Sequence, residues 1–373
     1  MAYEGFEKRI IATLVNSAEV HPYNLLLSIA DFDGDGRLDI LVGPRDGRMV
    51  WYKNDGDGLS FSYNLVDVVS KIDVGGAIFD IDGDGLPDII AGGDYRASTL
   101  YWWKNPGRTG IPWKRFLIVD TGKNQFHDQI GGMVGPVDRP SIFFWNQGGR
   151  TLYEAPIPDF PEQSPWPVIK PVASNIKEEG LAIADIDGDG EQELIAGTRW
   201  YKRISNGWEA HVITNDYIST RIAVADLDGE GDLEIILAEG DACISGKPQG
   251  GKLAYFKRGK NPRKPWIEHV LEEKMMDPHS LACGDICGNG RMDIFVGEIG
   301  SPSGTGPAPR LLVYENEGNG LFTAHLIDEG TGTHQATLAD LRGKGVLDIV
   351  GKPLHGPEKW NIHVWYNLRH PLG

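Results

Sequence analysis

Ala30-Asp31-Phe32-Asp33-Gly34-Asp35-Gly36-Arg37-Leu38-Asp39-Ile40-Leu41-Val42-Gly43 is the stretch that decides the fold of this 373-residue chain. It ends one apolar strand, turns through acids that alternate with other residues, and opens a second strand at Asp39. The same pattern restarts at Asp80 (DIDGDGLPDIIAGG), Asp185 (DIDGDGEQELIAGT), Asp226 (DLDGEGDLEIILAE), Asp285 (DICGNGRMDIFVGE) and Asp340 (DLRGKGVLDIVGKP). Successive first aspartates lie 49, 105, 41, 59 and 55 residues apart. The interval of 105 is two periods, so a degenerate unit is expected inside it. His127 to Gln147 fits, with an apolar run, a polar turn at Val137-Asp138-Arg139-Pro140, and the run Ser141-Ile142-Phe143-Phe144-Trp145. Seven units of about 50 residues then fill the chain.

Each unit carries four strand signals: an apolar run before the acidic turn, the run after it, a run with paired aromatics, and a last run that opens on an aromatic. The third recurs as Trp51-Tyr52-Lys53-Asn54, Trp102-Trp103-Lys104-Asn105, Trp200-Tyr201, Tyr255-Phe256, Tyr314-Glu315-Asn316 and Trp365-Tyr366-Asn367. The fourth recurs as Trp113 to Val119, Trp208 to Ile213, Trp266 to Leu271 and Phe322 to Ile327. The pattern predicts an all-β, seven-bladed β-propeller of four-stranded antiparallel blades, one domain over residues 1–373. The chain stops after a third strand, whereas Phe6 to Ile11 reads as a fourth strand placed before the first unit. The N-terminal strand is therefore expected to complete the last blade. The aromatic pairs are expected to pack between blades, and His211, His269 and His325, which share one register in the fourth strands, to lie on the surface.

Composition narrows the function classes. Hydrophobic residues make up 40% and charged residues 24%, enough apolar content for a large core. The net charge of −17 disfavours duplex nucleic acid and anionic membranes as partners. The three cysteines, at 243, 283 and 287, exclude a disulfide framework. No run is long and apolar enough for a membrane helix, and Met1 to Arg9 lacks a basic segment followed by an apolar one. That points to the cytoplasm, or to a secreted or periplasmic protein if a leader has been trimmed.

The turns place acids at positions 1, 3, 5 and 9 with Gly at 6, the oxygen-rich spacing a hard cation requires. Four turns keep the set: Asp31, Asp33, Asp35 and Asp39; Asp80, Asp82, Asp84 and Asp88; Asp185, Asp187, Asp189 and Glu193; Asp226, Asp228, Glu230 and Glu234. Structural calcium is expected there, the alternative being acids that cap turn amides without an ion. The sixth turn substitutes Cys287 and Asn289, and the seventh Arg342 and Lys344, so neither is expected to hold an ion. These units resemble the FG-GAP or VCBS repeats of integrin-type propellers and of bacterial carbohydrate-active proteins, over almost the whole chain.

Residues before the first strand and after the second strand of a blade share a face, opposite the acidic turns. There the sequence collects Tyr23 with Arg45, Asp73 with Arg96, His127, Glu179 with Arg199, Arg221 with Glu239, His279 with Glu298, and His334 with Lys352 and His355. A polar pocket for a carbohydrate or oligosaccharide is expected on that face. His279 and His334 suit acid and base. Glu298 suits a histidine partner or, with both histidines, a ligand of a catalytic divalent metal, and Arg199 and Lys352 suit anion stabilisation. The phrases Asp277-Pro278-His279-Ser280 with Gly297-Glu298, and Gly332-Thr333-His334-Gln335 with Gly351-Lys352-Pro353, are similar to the propeller of aldos-2-ulose dehydratase and to propeller lyases acting on rhamnose-glucuronate linkages. That resemblance implies β-elimination on a keto-sugar, keto-glycoside or uronate. The alternatives are a non-catalytic glycan- or protein-binding propeller and, more weakly, a glycoside hydrolase using Asp73 and Glu179.

Overall fold

Seven four-stranded antiparallel sheets account for all strands in the computed structural model, which describes residues 5–15, 23–68, 71–93, 97–243, 245–300 and 306–369. Blade 1 is Asn24–Ala30, Asp39–Pro44, Met49–Asn54 and Phe61–Asp67. Blade 2 is Ala77–Phe79, Asp88–Gly92, Thr99–Lys104 and Lys114–Asp120; blade 3 is Phe126–Gly132, Ser141–Asn146, Thr151–Pro156 and Lys170–Ser174. Blade 4 is Leu181–Ala184, Glu193–Ala196, Arg199–Ile204 and Gly207–Val212; blade 5 is Thr220–Ala225, Glu234–Glu239, Gly251–Lys257 and Ile267–Met275. Blade 6 is Pro278–Gly284, Asp293–Glu298, Arg310–Gly318 and Leu321–Glu329. Blade 7 takes Gln335–Ala339, Asp348–Lys352 and Asn361–Asn367 from the end of the chain and Phe6–Thr13 from its start, in register from Phe6 opposite Asn367 to Thr13 opposite Asn361. With no helix among the described residues, the fold class is a seven-bladed β-propeller, and the degenerate unit is a complete third blade.

The chain divides into two compact units, one of Met1–Leu14, Ala184–Lys202 and Glu209–Gly373, the other of Val15–Ile183 and Arg203–Trp208. In the second unit, Leu26, Phe32, Leu41, Trp51, Ile89, Trp103 and Trp113 form a core shared by blades 1 and 2. In the first, Ile236, Leu253, Tyr255, Val296, Leu312 and Tyr314 do the same for blades 5 and 6. The aromatic pairs are thus packing groups, as their recurrence predicts. Second strands such as Asp39–Pro44 are buried throughout, whereas fourth strands such as Ile267–Met275 alternate little and are mostly exposed. The histidine expectation needs correction. His211 stacks on Trp200 with ring centroids 4.2 Å apart, and His325 lies 2.7 Å from Glu315, so both are half-buried; only His269, stacked on Tyr255, is exposed.

One polar device recurs because backbone groups at the acidic turns must be satisfied where they are buried. The ninth acid of the turn accepts the amide that follows the first aspartate and an amide of the third strand: Asp39 takes Phe32 and Asn54, Asp88 takes Ile81 and Asn105. The asparagine side chain then reaches the preceding blade, from Asn105 Nδ2 to Phe32 O (2.8 Å), Asn316 Nδ2 to Leu227 O (2.7 Å) and Asn367 Nδ2 to Ile286 O (2.8 Å). Asn316→Ala strips donors from two carbonyls, Leu227 O and Met292 O. It is expected to cost about 2 kcal/mol in chemical denaturation, with no change in the slope of the transition.

Candidate functional site

The histidines of blades 6 and 7 meet because a backbone approach is left open for them. A Cβ at Gly297 would lie 2.2 Å from Thr333 Oγ1, so only glycine lets Thr333 settle against blade 6. There its hydroxyl shares a 2.9 Å hydrogen bond with Ser280 Oγ, and its amide donates to Glu298 O. His279 and His334 are neighbours of these latches, and their rings stack with centroids 5.3 Å apart at 26°. His279 Nε2 lies 3.0 Å from Asp241 Oδ1, and its Nδ1 lies 3.2 Å from the carbonyl of Asp277. Asp277 itself sits at φ 53°, in the left-handed region, and its carboxylate accepts the amide of Cys243. Both ring nitrogens of His279 thus face acceptors.

Lys352 ends the second strand of blade 7, and its carbonyl accepts the amide of His334. It is fully buried, and that burial pulls its ammonium down to about 7. His355 is pulled down to about 4 by burial and by the charges of His279 and Lys359. Beside His355 opens a recess of about 310 Å³ lined by Ile299, Pro309, Gly330, Thr331 and Pro357.

Three expectations change here. Glu298 is neither a partner of His279 nor a ligand beside it: Arg310 grips it in a fork (2.8 and 3.2 Å), and the amides of Met276 and Arg310 fill the rest of its carboxylate. The histidine partner is Asp241, two residues beyond the second strand of blade 5, a position on the shared face that the sequence reading passed over. Glu239 is engaged by Lys247, the amide of Lys252 and the amide of Ile218 rather than pairing with Arg221. The Arg221 guanidinium instead lies against Gly240, next to Asp241, and donates to Thr220 O. Arg199 begins the third strand of blade 4, with its guanidinium 3.1 Å from Thr198 Oγ1.

The other compact unit holds a separate cluster. His127 lies 3.8 Å from Asp128 and 3.9 Å from Glu179. Burial alone would lower its pKa, but Glu179, Asp128 and Asp73 together push it up to about 9, so it is an imidazolium at neutral pH. Asp73, raised by burial against the pull of His127 and Arg45, also meets Arg45 at 3.2 Å, and Arg45 lies over the ring of Tyr23. Gln147 donates to Glu179 at 2.6 Å. With both carboxylates committed to this cationic cluster, Asp73 and Glu179 do not form the open acid pair of a glycosidase. Arg96 lies outside the described residues.

In the four complete turns the first, third and ninth acids converge: Asp31, Asp33 and Asp39; Asp80, Asp82 and Asp88; Asp185, Asp187 and Glu193; Asp226, Asp228 and Glu234. Each group offers oxygens within 4.8 Å of one another. The fifth acids differ from the sequence expectation. Asp35, Asp84 and Asp189 accept the amide two residues on, the turn-capping habit of a short acid, and Glu230 is exposed. Buried Asp33 Oδ1, Asp82 Oδ1 and Asp187 Oδ1 receive no hydrogen bond, which fits a set of hard-ion ligands.

No family model matches the chain, and no curated protein matches it in sequence. Solved structures do, and the class they define is the propeller. BBS1N, solved in complex with ARL6DN, superposes with a TM-score of 0.61 at 9% identity, covering 99% of this chain and 97% of that one. Virginiamycin B lyase from Staphylococcus aureus gives 0.56 at 12% identity over 96% and 99% of the two chains. Rhamnogalacturonan lyase YesW gives 0.52 at 16% identity over 98% and 76%. At these identities the likeness is one of fold.

Proposed function

We propose that the protein is a carbohydrate lyase or dehydratase that performs β-elimination on a uronate, keto-sugar or keto-glycoside at the His279–His334 pair. The observation that carries this reading is the stacked pair itself, with Asp241 on one ring. His334 takes the proton from the carbon next to the substrate carboxylate or carbonyl. The electron pair becomes the new C=C bond as the β-carbon–oxygen bond breaks, and His279, held by Asp241, protonates the departing oxygen. Arg221, whose guanidinium lies against Gly240, the neighbour of Asp241, is assigned to the substrate anion. Lys352 is assigned a different part from the fixed cation of the sequence reading, because a buried amine with a pKa of about 7 is half neutral at physiological pH. Calcium in the four complete turns belongs to the same proposal, as an ion that Asp31, Asp33 and Asp39 and their counterparts can hold.

The test is the ultraviolet absorbance of a newly conjugated double bond, followed on uronate oligosaccharides and keto-sugars. His279→Ala and His334→Ala are each expected to lower kcat by about a thousandfold, and Asp241→Asn by about a hundredfold with KM unchanged. Wild-type protein that produces no absorbance on the whole panel, or alanine variants that keep the wild-type rate, would remove the reading. A second reading, a binding propeller, is favoured by one observation. Phe160, 76% exposed, stands at a recess of about 480 Å³ formed by Ile157, Pro158, Pro167 and Val168. Retained glycan or protein binding without turnover would select it.

A further inference from the structure

The third strands of four blades carry a lysine in one register: Lys53, Lys104, Lys202 and Lys257, each directly after the aromatic pair. All four ammonium groups rest on the acids of their own blade's turn. Lys53 contacts Asp33 and Asp35, Lys104 contacts Asp82, and Lys257 contacts Asp228 and Glu230. Lys202 spans Asp187 (2.7 Å), Asp189 (2.5 Å) and Glu193 (3.2 Å), and its side chain is only 13% exposed. These four turns are the ones whose first, third and ninth acids converge.

The two remaining acidic turns supply an internal control. Their register is set by Asn316 and Asn367, whose amides meet the ninth acid as Asn54 and Asn105 do. The residue before each asparagine is Glu315 in blade 6 and Tyr366 in blade 7. There the third and fifth turn positions hold Cys287 and Asn289, or Arg342 and Lys344, in place of carboxylates. In blade 7 a cation arises within the turn itself, where Arg342 Nη2 meets Asp348 at 2.7 Å. Lysine thus accompanies the full acid set and is missing where the set is broken.

Electrostatics explains the pairing. Acids whose oxygens lie within 4.8 Å repel one another by several kcal/mol at the effective dielectric of a protein surface, unless a cation stands among them. An ammonium on a third-strand stem supplies that charge from within the chain. It also reaches the third acid of each turn, which a divalent ion would need.

We infer that Lys53, Lys104, Lys202 and Lys257 are resident counterions of the acidic turns: the blades hold without a divalent ion, and calcium must displace a lysine to enter. The competition half rests on the calcium reading above; the counterion half does not. The test uses the full chain as wild type, as Lys202→Met, and as the variant with all four lysines changed to Met. Thermal unfolding in EDTA, in micromolar and in millimolar calcium is combined with calcium titration by calorimetry. Wild-type protein is expected to unfold within about 2 °C of the same midpoint in EDTA and in micromolar calcium. Lys202→Met should lose several degrees in EDTA, recover them with calcium, and bind one calcium ion at least about tenfold more tightly than the wild-type turns. A wild-type midpoint that drops in EDTA as far as that of the variants, or a Lys202→Met that loses no stability in EDTA, overturns the counterion inference; a Lys202→Met that binds calcium, but no more tightly than the wild-type turns, overturns the competition half. A Lys202→Met destabilised in EDTA that takes up no calcium overturns the calcium reading alone and upholds the counterion. Should the fourfold variant fail to fold, the single-site variant carries the comparison.

Discussion

Lys352→Met should make the protein more stable, not less, at neutral pH. The ammonium has an ordinary pKa near 10.5 in the unfolded chain and about 7 in the fold, where burial disfavours its charged form. Between those values the unfolded chain binds a proton that the native protein does not, so this group's contribution to stability rises with pH across the interval. Below about pH 7 both states are charged, and the fold bears the whole cost of a buried ammonium. Methionine has nearly the same shape and no charge to bury. The substitution is therefore expected to raise the unfolding midpoint by about 5 °C or more at pH 6 to 7, a gain that fades toward pH 10. Thermal melts of both proteins across that range decide it. A lower midpoint for Lys352→Met at every pH would show that the amine makes contacts worth more than its desolvation.

The second large effect is Asp293→Ala. Asp293 is the ninth acid of the blade 6 turn, fully buried, and accepts the amides of Ile286 (2.9 Å), Cys287 (2.8 Å) and Asn316 (2.8 Å). This turn has no convergent acid set, so any loss cannot be charged to a displaced ion. Alanine leaves the amides of Cys287 and Asn316 without an acceptor, while that of Ile286 keeps Gly284 O, an expected cost of about 2 kcal/mol or more. Asp293→Asn keeps one acceptor oxygen and should fall between the two. The order wild type, Asn, Ala in denaturant midpoint is the expected result; an Ala variant within about 0.5 kcal/mol of wild type would mean that water takes over the amides of Cys287 and Asn316. The same reasoning explains why an acid stands at the ninth position in all six recognisable turns, including those without an ion-binding set. Its first duty is to the backbone.

The histidine site shows how far sequence reasoning reached. Blade number, strand order, the completion of blade 7 by Phe6–Thr13 and the four ion-competent turns were all legible. Each follows from a local pattern repeated at a near-constant interval, and every copy checks the others. The side of the blade on which His279 and His334 lie was legible as well, because strand direction sets it. Their partners were not. Glu298 follows the glycine of its own motif and looked like the natural companion of His279, yet Arg310, the first residue of the adjacent strand, is closer and carries a full charge. Asp241, from another blade, took the place instead.

Sequence by itself determined the fold class of this protein, since a period of two within strands and a longer period between blades are both written along one dimension. It also determined which turns carry convergent acids, because those acids lie within nine residues of each other. Tertiary structure decided which charges neutralise one another: Lys202 on Asp187, Arg310 on Glu298, Asp241 on His279 and three carboxylates around His127. Those choices depend on distances of a few ångströms between residues far apart in the chain, and on the burial that makes such distances count, neither of which a linear pattern contains.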